Sequence, residues 1–357
     1  MSRHVSGLKL AFTLCLLALG ACEESTTPTE PQEHASPAAA AAVGYLAQDI
    51  NIPFPVEGGS ASSINAAGQV AGTSFLGRPF DVWSGWIWKS GTGTRLGTLG
   101  GANSWAQDIN DLGQVVGYSE NARGKIRAFR WVNGTMTGIG TLGGSVSRAL
   151  AINNKGHIVG HSQLTGDPRD PNGAPFVHAF LKKSGVMTDL GTLGGRNSTA
   201  LDINDAGQVV GWSETAAGIR HPFLWQNGVM QDLLAGSADS GTAHAINPFG
   251  VVVGERNRRA FRYSGGIMRN LPLGSTPRSV ATGIRNGRIV GSLMTPTGGR
   301  GFVLADGQVT LLPLLNPAAD VGDEEDNAAS DINGAGVIVG ETTQFQSNGS
   351  PTMWSPQ

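Results

Sequence analysis

Five side chains of similar chemistry recur along the chain: Arg127, His178, His221, Arg259 and Arg300 each stand two residues ahead of a phenylalanine. A ring of such groups could hold an acidic glycan or a carboxylate ligand. Their regular recurrence favours a structural bond instead, with Asp108, Asp202 or Asp331 as partners, because one ligand rarely needs so many equivalent contacts. Trp83 and Trp105 fall in segments that read as loops, where an exposed indole can stack on a sugar ring or pack beneath its own loop. His157 and His161 share a strand face but stand about 13 Å apart by strand rise, too far for one metal ion. Two acidic stretches, Asp167–Gly173 and the run Asp320, Asp323, Glu324, Glu325 and Asp326, carry oxygen donors at a density that suits Ca²⁺. Two prolines and the missing distal Glu spoil an EF-hand match in the first. No cofactor is expected beyond such a Ca²⁺. There is no Gly-x-Ser-x-Gly elbow, His-Glu-x-x-His helix or phosphate loop. Paired carboxylates are left to be judged by geometry.

The elements that position these groups follow from composition. The 357 residues include 53 glycines, and only 15% are charged. Many short strands joined by glycine turns fit this, and long solvated helices do not. Hydrophobic residues make up 39%, enough for a packed core, and the net charge of −2 offers nucleic acid no basic field. Both cysteines, Cys15 and Cys22, lie near the N-terminus. The rest of the chain therefore has no disulfide, cysteine zinc site or cysteine nucleophile.

Residues 1–21 carry Arg3 and Lys9 ahead of an apolar run from Leu10 to Leu19, the build of a signal peptide. The run ends in Leu19-Gly20-Ala21-Cys22. This resembles the bacterial lipobox, in which small residues admit the peptidase and the thiol receives diacylglycerol as a thioether. Cys22 is the expected lipidation site. Glu23 follows where Asp would resemble an inner-membrane retention signal, so the expected destination is the outer membrane or cell surface. Residues 22–42 are proline- and alanine-rich without periodicity and read as a disordered tether.

From residue 43 to 357 one unit is used seven times. Its marker, Ala-x-x-Ile-Asn-x-x-Gly-x-Val-Val-Gly, runs over Ala61–Gly72, Ala106–Gly117, Ala149–Gly160, Ala200–Gly211, Ala243–Gly254, Ala281–Gly291 and Ala329–Gly340. The sixth copy is one residue short and has Arg285 in place of Asn. A period near ~45 residues is that of a four-stranded propeller blade. In the fourth copy the strands are expected over Ala200–Asn204, Gln208–Ser213, Pro222–Trp225 and Val229–Leu234. Val209-Val210 and Phe223-Leu224-Trp225 are apolar on both faces, as a sheet stacked on both sides requires. Trp88, Trp131, Trp225 and Trp354 read as the third-strand core position. The last copy stops after its third strand, and Tyr45–Ile52 precedes the first as a spare strand. The fold class is therefore all-β: a seven-bladed β-propeller of four-stranded blades, the N-terminal strand completing the C-terminal blade.

The triplet His178-Ala179-Phe180, its variants at the other four positions, and Leu-Gly-Thr-Leu-Gly-Gly at Leu96–Gly101 and Leu190–Gly195 resemble the HAF-type extracellular repeats of bacteria. Ile139–Gly144 is a near copy, and copies five to seven lose the glycine pattern. The resemblance implies export and a repeat architecture and supplies no reaction. Tight turns occupy one face of such a propeller. Variable loops and the glycine hallmark fall on the other, the expected binding face. The chain is expected to be a monomer that meets the membrane through its anchor and takes a glycan or protein ligand. It is read as a non-catalytic binding or scaffold protein, with an envelope polysaccharide hydrolase or lyase using the channel as the alternative. Cys22→Ser should abolish metabolic labelling with palmitate and move the protein to the soluble fraction. Unchanged membrane partition would remove Cys22 as the anchor.

Overall fold

The computed structural model describes residues 44–52, 56–77, 81–166, 169, 173, 175–315, 325–344 and 349–357. The signal segment, Cys22 and the tether lie outside the described residues. So do most of the Asp167–Gly173 loop and Asp320, Asp323 and Glu324.

Twenty-eight strands form seven four-stranded antiparallel sheets arranged in a ring. Each first strand packs against the first strands of both neighbouring blades, including blade 7 against blade 1. Blade 4 has strands Gly194–Ile203, Val209–Thr215, Arg220–Gln226 and Val229–Asp232. Its first strand thus begins at Gly194, not Ala200. The closing glycines of the hallmark, Gly194 and Gly195, belong to the strand rather than to the loop expected, while Leu190–Leu193 precede it. Gly194 pairs with Thr215 across a bulge that ends at Ser198. Its φ of +101° is closed to most side chains, and a Cβ on Gly195 would lie 2.4 Å from that of Glu214. Thr192 pins the entry by donating from Oγ1 to Gly195 O at 2.9 Å. A glycine-rich run that looks like a loop is therefore a bulged strand end.

The core is distributed between the blades. Seven buried apolar clusters fill the seven blade interfaces. Val209 points into the interface with blade 3 and Val210 into that with blade 5, and both are fully buried. This is why the strands lack polar alternation. The third-strand core position is the phenylalanine of the triplet: Phe129, Phe180, Phe223, Phe261 and Phe302, with Trp86 in blade 1, are all fully buried. The tryptophan two residues later, expected there, is buried in blades 2 and 7 and only partly so at Trp88 and Trp225. Each such aromatic contributes about 1.5–3 kcal/mol by burial. It pairs with the last glycine of the marker, as Phe223 does with Gly211. A Cβ on Gly211 would come within 2.0 Å of Thr199 O, so glycine is the residue that lets the bulged first strand approach.

Closure is as the ends of the sequence imply. Tyr45–Asp49 is the outer strand of blade 7, antiparallel to Ser350–Pro356, with Tyr45 opposite Pro356 and Asp49 opposite Thr352. Backbone bonds from Ile50 N to Pro351 O and from Gln357 N to Gly44 O extend the pairing at both ends. Ile50 and Ile52 then enter the cluster between blades 7 and 1. The first and last segments of the fold thereby protect each other's edges. Deleting Tyr45–Ile52 removes that pairing and both isoleucines. A clear drop in melting temperature is expected by calorimetry, and an unchanged one would refute the closure.

Candidate functional site

At the tight-turn end of the ring, the asparagine of every marker but the sixth folds its own turn. Asn65 Oδ1 accepts from Ala67 N and Gln69 N at 3.1 and 2.9 Å, and its Nδ2 donates to Asn110 O of the next blade at 3.0 Å. Asn110, Asn153 and Asn204 repeat that bond onward, each at 3.0 Å, and Asn333 closes onto Asn65 O at 3.3 Å. The marker is thus a stitch between neighbours as well as a turn.

Inside this rim lies an axial cavity of about 130 Å³, lined by the inner-strand ends of all seven blades. Asp108, Asp202 and Asp331 face one another across it. Each carboxylate takes two backbone amides, one from its own blade and one from the next. Asp202 accepts from Ile203 N at 2.7 Å and Ile246 N at 2.8 Å. Asp108 accepts from Ile109 N and Ile152 N, and Asp331 from Ile332 N and Ile64 N. Three acids thus hold the amides of six marker isoleucines. Ser63 Oγ lies between two of them, 2.7 Å from Asp108 and 2.9 Å from Asp331. One hydroxyl proton serves one acid at a time, so a proton on Asp108 can donate to Ser63 while Ser63 donates to Asp331. Burial pushes Asp108 up to about 6, against its amide and Ser63 bonds, with Asp331 adding to the rise. Burial also pushes Asp202 up to about 7 and raises Asp331.

These acids do not meet the recurrent cations, contrary to the partners expected from sequence. His178 Nδ1 bonds Asp189 at 2.9 Å, and His221 Nδ1 bonds Asp232 at 2.8 Å, both within their own blades. Arg300 Nη2 donates to Leu312 O at 2.7 Å, and Arg127 reaches Ile126 O at 3.5 Å. Arg259 is exposed at the start of its strand. All five sit on third strands, one to a blade, and converge on no common point. The physical reason is topological: a third strand lies two strands out from the axis.

Trp105 and Trp83 both lie in strands rather than loops. Trp105, in Gly100–Ile109, stacks on Tyr118 with ring centroids 5.0 Å apart. Arg148 of blade 3 lies over the other side of the pair, 4.8 Å from the Tyr118 centroid. His161 follows beside Arg148, and burial, then that guanidinium, lower it to about 4, so it is neutral at pH 7. Trp83 is 38% exposed and packs on Phe75 at 5.4 Å. Among the described residues no group of three or more His, Cys, Asp or Glu side chains is placed to hold a metal. The sequence reading missed the three axial acids as a site. Their signal is the residue before each marker isoleucine: Ser63, Asp108, Ala151, Asp202, Ala245, Gly283 and Asp331, with acids never in adjacent blades.

The raised carboxyls set a pH dependence. An unfolded aspartate titrates near about 3.9, so between there and about 7 the folded state binds more protons. Stability is greatest below that window and falls as pH rises through it. Asp202→Asn removes one such group and turns an amide NH₂ towards a backbone N–H. It is expected to lower stability by about 1–3 kcal/mol and to flatten the decline between pH 4 and 7. Calorimetric melts across that range test this, and an unchanged slope would refute it.

No protein-family model and no curated protein matches this sequence. Solved structures match in fold. A streptogramin B lyase structure aligns at 13% identity over 88% of this chain and 98% of that one, TM-score 0.55. The β-propeller domain of the Trilobed protease from Pyrococcus furiosus aligns at 10% identity over 84% and 96%, TM-score 0.55. An acylaminoacyl peptidase aligns at 10% identity over 85% of this chain and 52% of its own, TM-score 0.55, so this chain spans about half of it. At such identities the likeness is one of fold: the chain is a seven-bladed β-propeller.

Proposed function

We propose that this protein is an exported, lipid-anchored propeller of the bacterial cell envelope that binds a ligand without transforming it. The observation that carries the reading is the use made of the axial acids. Every carboxylate oxygen of Asp108, Asp202 and Asp331 accepts a backbone amide, so these groups serve as clamps between blades. The side chains left over by the repeat are copy-specific and lie nearer the loop end, among them Trp83 and the stack of Trp105, Tyr118 and Arg148. Aromatic faces flanked by a guanidinium are suited to sugars. The lipobox-like ending at Cys22 and the likeness to HAF-type repeats support export and anchoring, at the outer membrane or cell surface.

A second reading, an envelope polysaccharide hydrolase or lyase, rests on the pair Asp108 and Asp331. One hydroxyl bridges them, so they are no farther apart than two hydrogen bonds laid end to end, and both are held towards the protonated form. Paired carboxylates close together, with raised pKa values, are a glycosidase device. One experiment separates the readings. The full-length protein, purified in detergent, is applied to glycan and cell-wall arrays, and bound glycans are assayed for new reducing ends or unsaturated products. Retention without products is expected, weakened by Trp83→Ala. Turnover lost in Asp108→Asn would establish the second reading instead.

A further inference from the structure

The loop end of the ring carries a recess of about 380 Å³ where residues of blades 4, 5 and 6 meet. Three arginines from three blades meet there. Arg220 opens the third strand of blade 4, Arg258 lies in the second-to-third turn of blade 5, and Arg278 precedes the first strand of blade 6. Glu255 is the one acid in the lining, and Ser240, Thr242 and Asn257 supply hydroxyl and amide groups.

Among the described residues Glu255 offsets one of these three charges and leaves the lining net positive. Asp239, the nearest other acid along the chain, is taken by Arg256 at 3.4 Å and by Asn257. None of the three guanidinium groups of the recess has a hydrogen-bond or ion-pair partner among the described residues. Arg220 is held by stacking, 3.8 Å from the centroid of the Trp212 ring, which leaves its fork free to bind. Three like charges brought into one concavity repel unless an anion joins them.

The backbone at Arg258 gives an independent sign. Asn257 and Arg258 have φ of +47° and +65°, the two-residue turn of a tight hairpin. Nine non-glycine described residues have positive φ, and the other eight are Asn, Asp or Ser. Those residues tolerate the left-handed region; a long side chain there is strained. The turn is fixed by Asn257 N donating to Ser240 O and Ser279 N donating to Arg258 O.

We propose that this recess binds an anionic sugar residue, its carboxylate or its sulfate or phosphate ester gripped by Arg220, Arg258 and Arg278. The volume lies at the lower end of small-ligand sites, about 300–1,000 Å³. The lining suits a hydroxyl-rich anion: it has forked donors for an oxyanion, small polar groups and one carboxylate for hydroxyls, and no large apolar side chain of the kind a lipid or an apolar peptide needs. The assignment rests on the binding reading above and names the chemistry of its ligand.

The full-length protein in detergent is titrated calorimetrically with oligogalacturonate, with a sulfated oligosaccharide, with a neutral oligosaccharide of the same length and with inorganic sulfate. One of the two anionic sugars is expected to bind, more weakly as salt rises, and which of them binds identifies the anion. Arg258→Gly removes the guanidinium and relieves the φ strain, so it should keep or raise the melting temperature and weaken binding about ten-fold or more. Arg278→Ala should weaken it comparably. Anionic-sugar binding unchanged in both variants overturns the pocket and leaves the binding reading intact. Binding of the neutral sugar alone does the same. Inorganic sulfate binding as tightly as either sugar overturns the sugar assignment. No binding of any anionic sugar to the folded chain overturns the proposal, and the array experiment then decides the wider reading on its own.

Discussion

Adjacent blades of a propeller share no backbone ladder, and only isolated backbone bonds such as Ser279 N to Arg258 O cross between them, so side chains must do most of the joining. Here the joining is concentrated in the marker segment, which acts at three depths. Its alanine, isoleucine and valines fill the interface. Its asparagine bonds the next turn. The aspartate before its isoleucine, where present, takes an amide from both sides of the gap. The bulge between Ala200 and Asp202 makes the last contact possible, because it frees the isoleucine amide from the ladder and aims it at the axis. A buried amide left unpaired costs about 1–3 kcal/mol, so six amides satisfied by three acids is a large fraction of a domain's net stability.

The spacing of the acids follows from their charge. Three carboxylates around one narrow axis repel: Asp331 raises Asp108, and both raise Asp202. Since one acid serves two blades, three acids serve six of the seven, and none need be adjacent. Blade 6 is the blade left out. It has Gly283 before its isoleucine and Arg285 in place of the asparagine, and Asn286 Nδ2 bonds Gly334 O at 3.2 Å instead. The interface between blades 5 and 6 relies on apolar packing: ten buried residues, including Ile289, Leu293, Phe302 and Leu304, with Leu271 and Leu273 against them. Those leucines stand in the region where the repeat loses its glycine hallmark. The loss of one device accompanies the gain of another.

This division explains what could be read in the sequence. Blade number, strand order and closure were legible because they rest on periodic apolar residues and on a spare strand at Tyr45–Asp49 whose match is missing at the other end. The inner-strand starts were not, because Gly194-Gly195 looks like a loop and is instead a strand that needs room. The axial clamps were hidden because their partners are amides of the neighbouring blade, which carry no residue-type signature. The histidine partners were within reach: His178 to Asp189 and His221 to Asp232 have the same spacing of 11 in two successive repeats. A regular pairing at that distance joins the third strand to the fourth, and it places His178 and His221 in the scaffold of their own blades.

Regular positions in such a molecule are therefore committed to holding the ring, and chemistry particular to this chain must be sought where the repeat is broken. Breaks are of two kinds, and backbone strain tells them apart. Where Asn, Asp or Ser occupies a left-handed turn, as at Asn133 or Asn227, the side chain suits the backbone and the turn is sufficient reason for the residue. Arg258 reverses that relation. The hairpin would be easier with glycine or asparagine, and among the described residues the guanidinium has no hydrogen bond, ion pair or ring contact that would offset the strain. A residue that neither the turn nor the packing calls for has its reason outside the chain. Its surroundings state the sign of that reason, because two further guanidinium groups share its recess and the single carboxylate there, Glu255, leaves the balance positive.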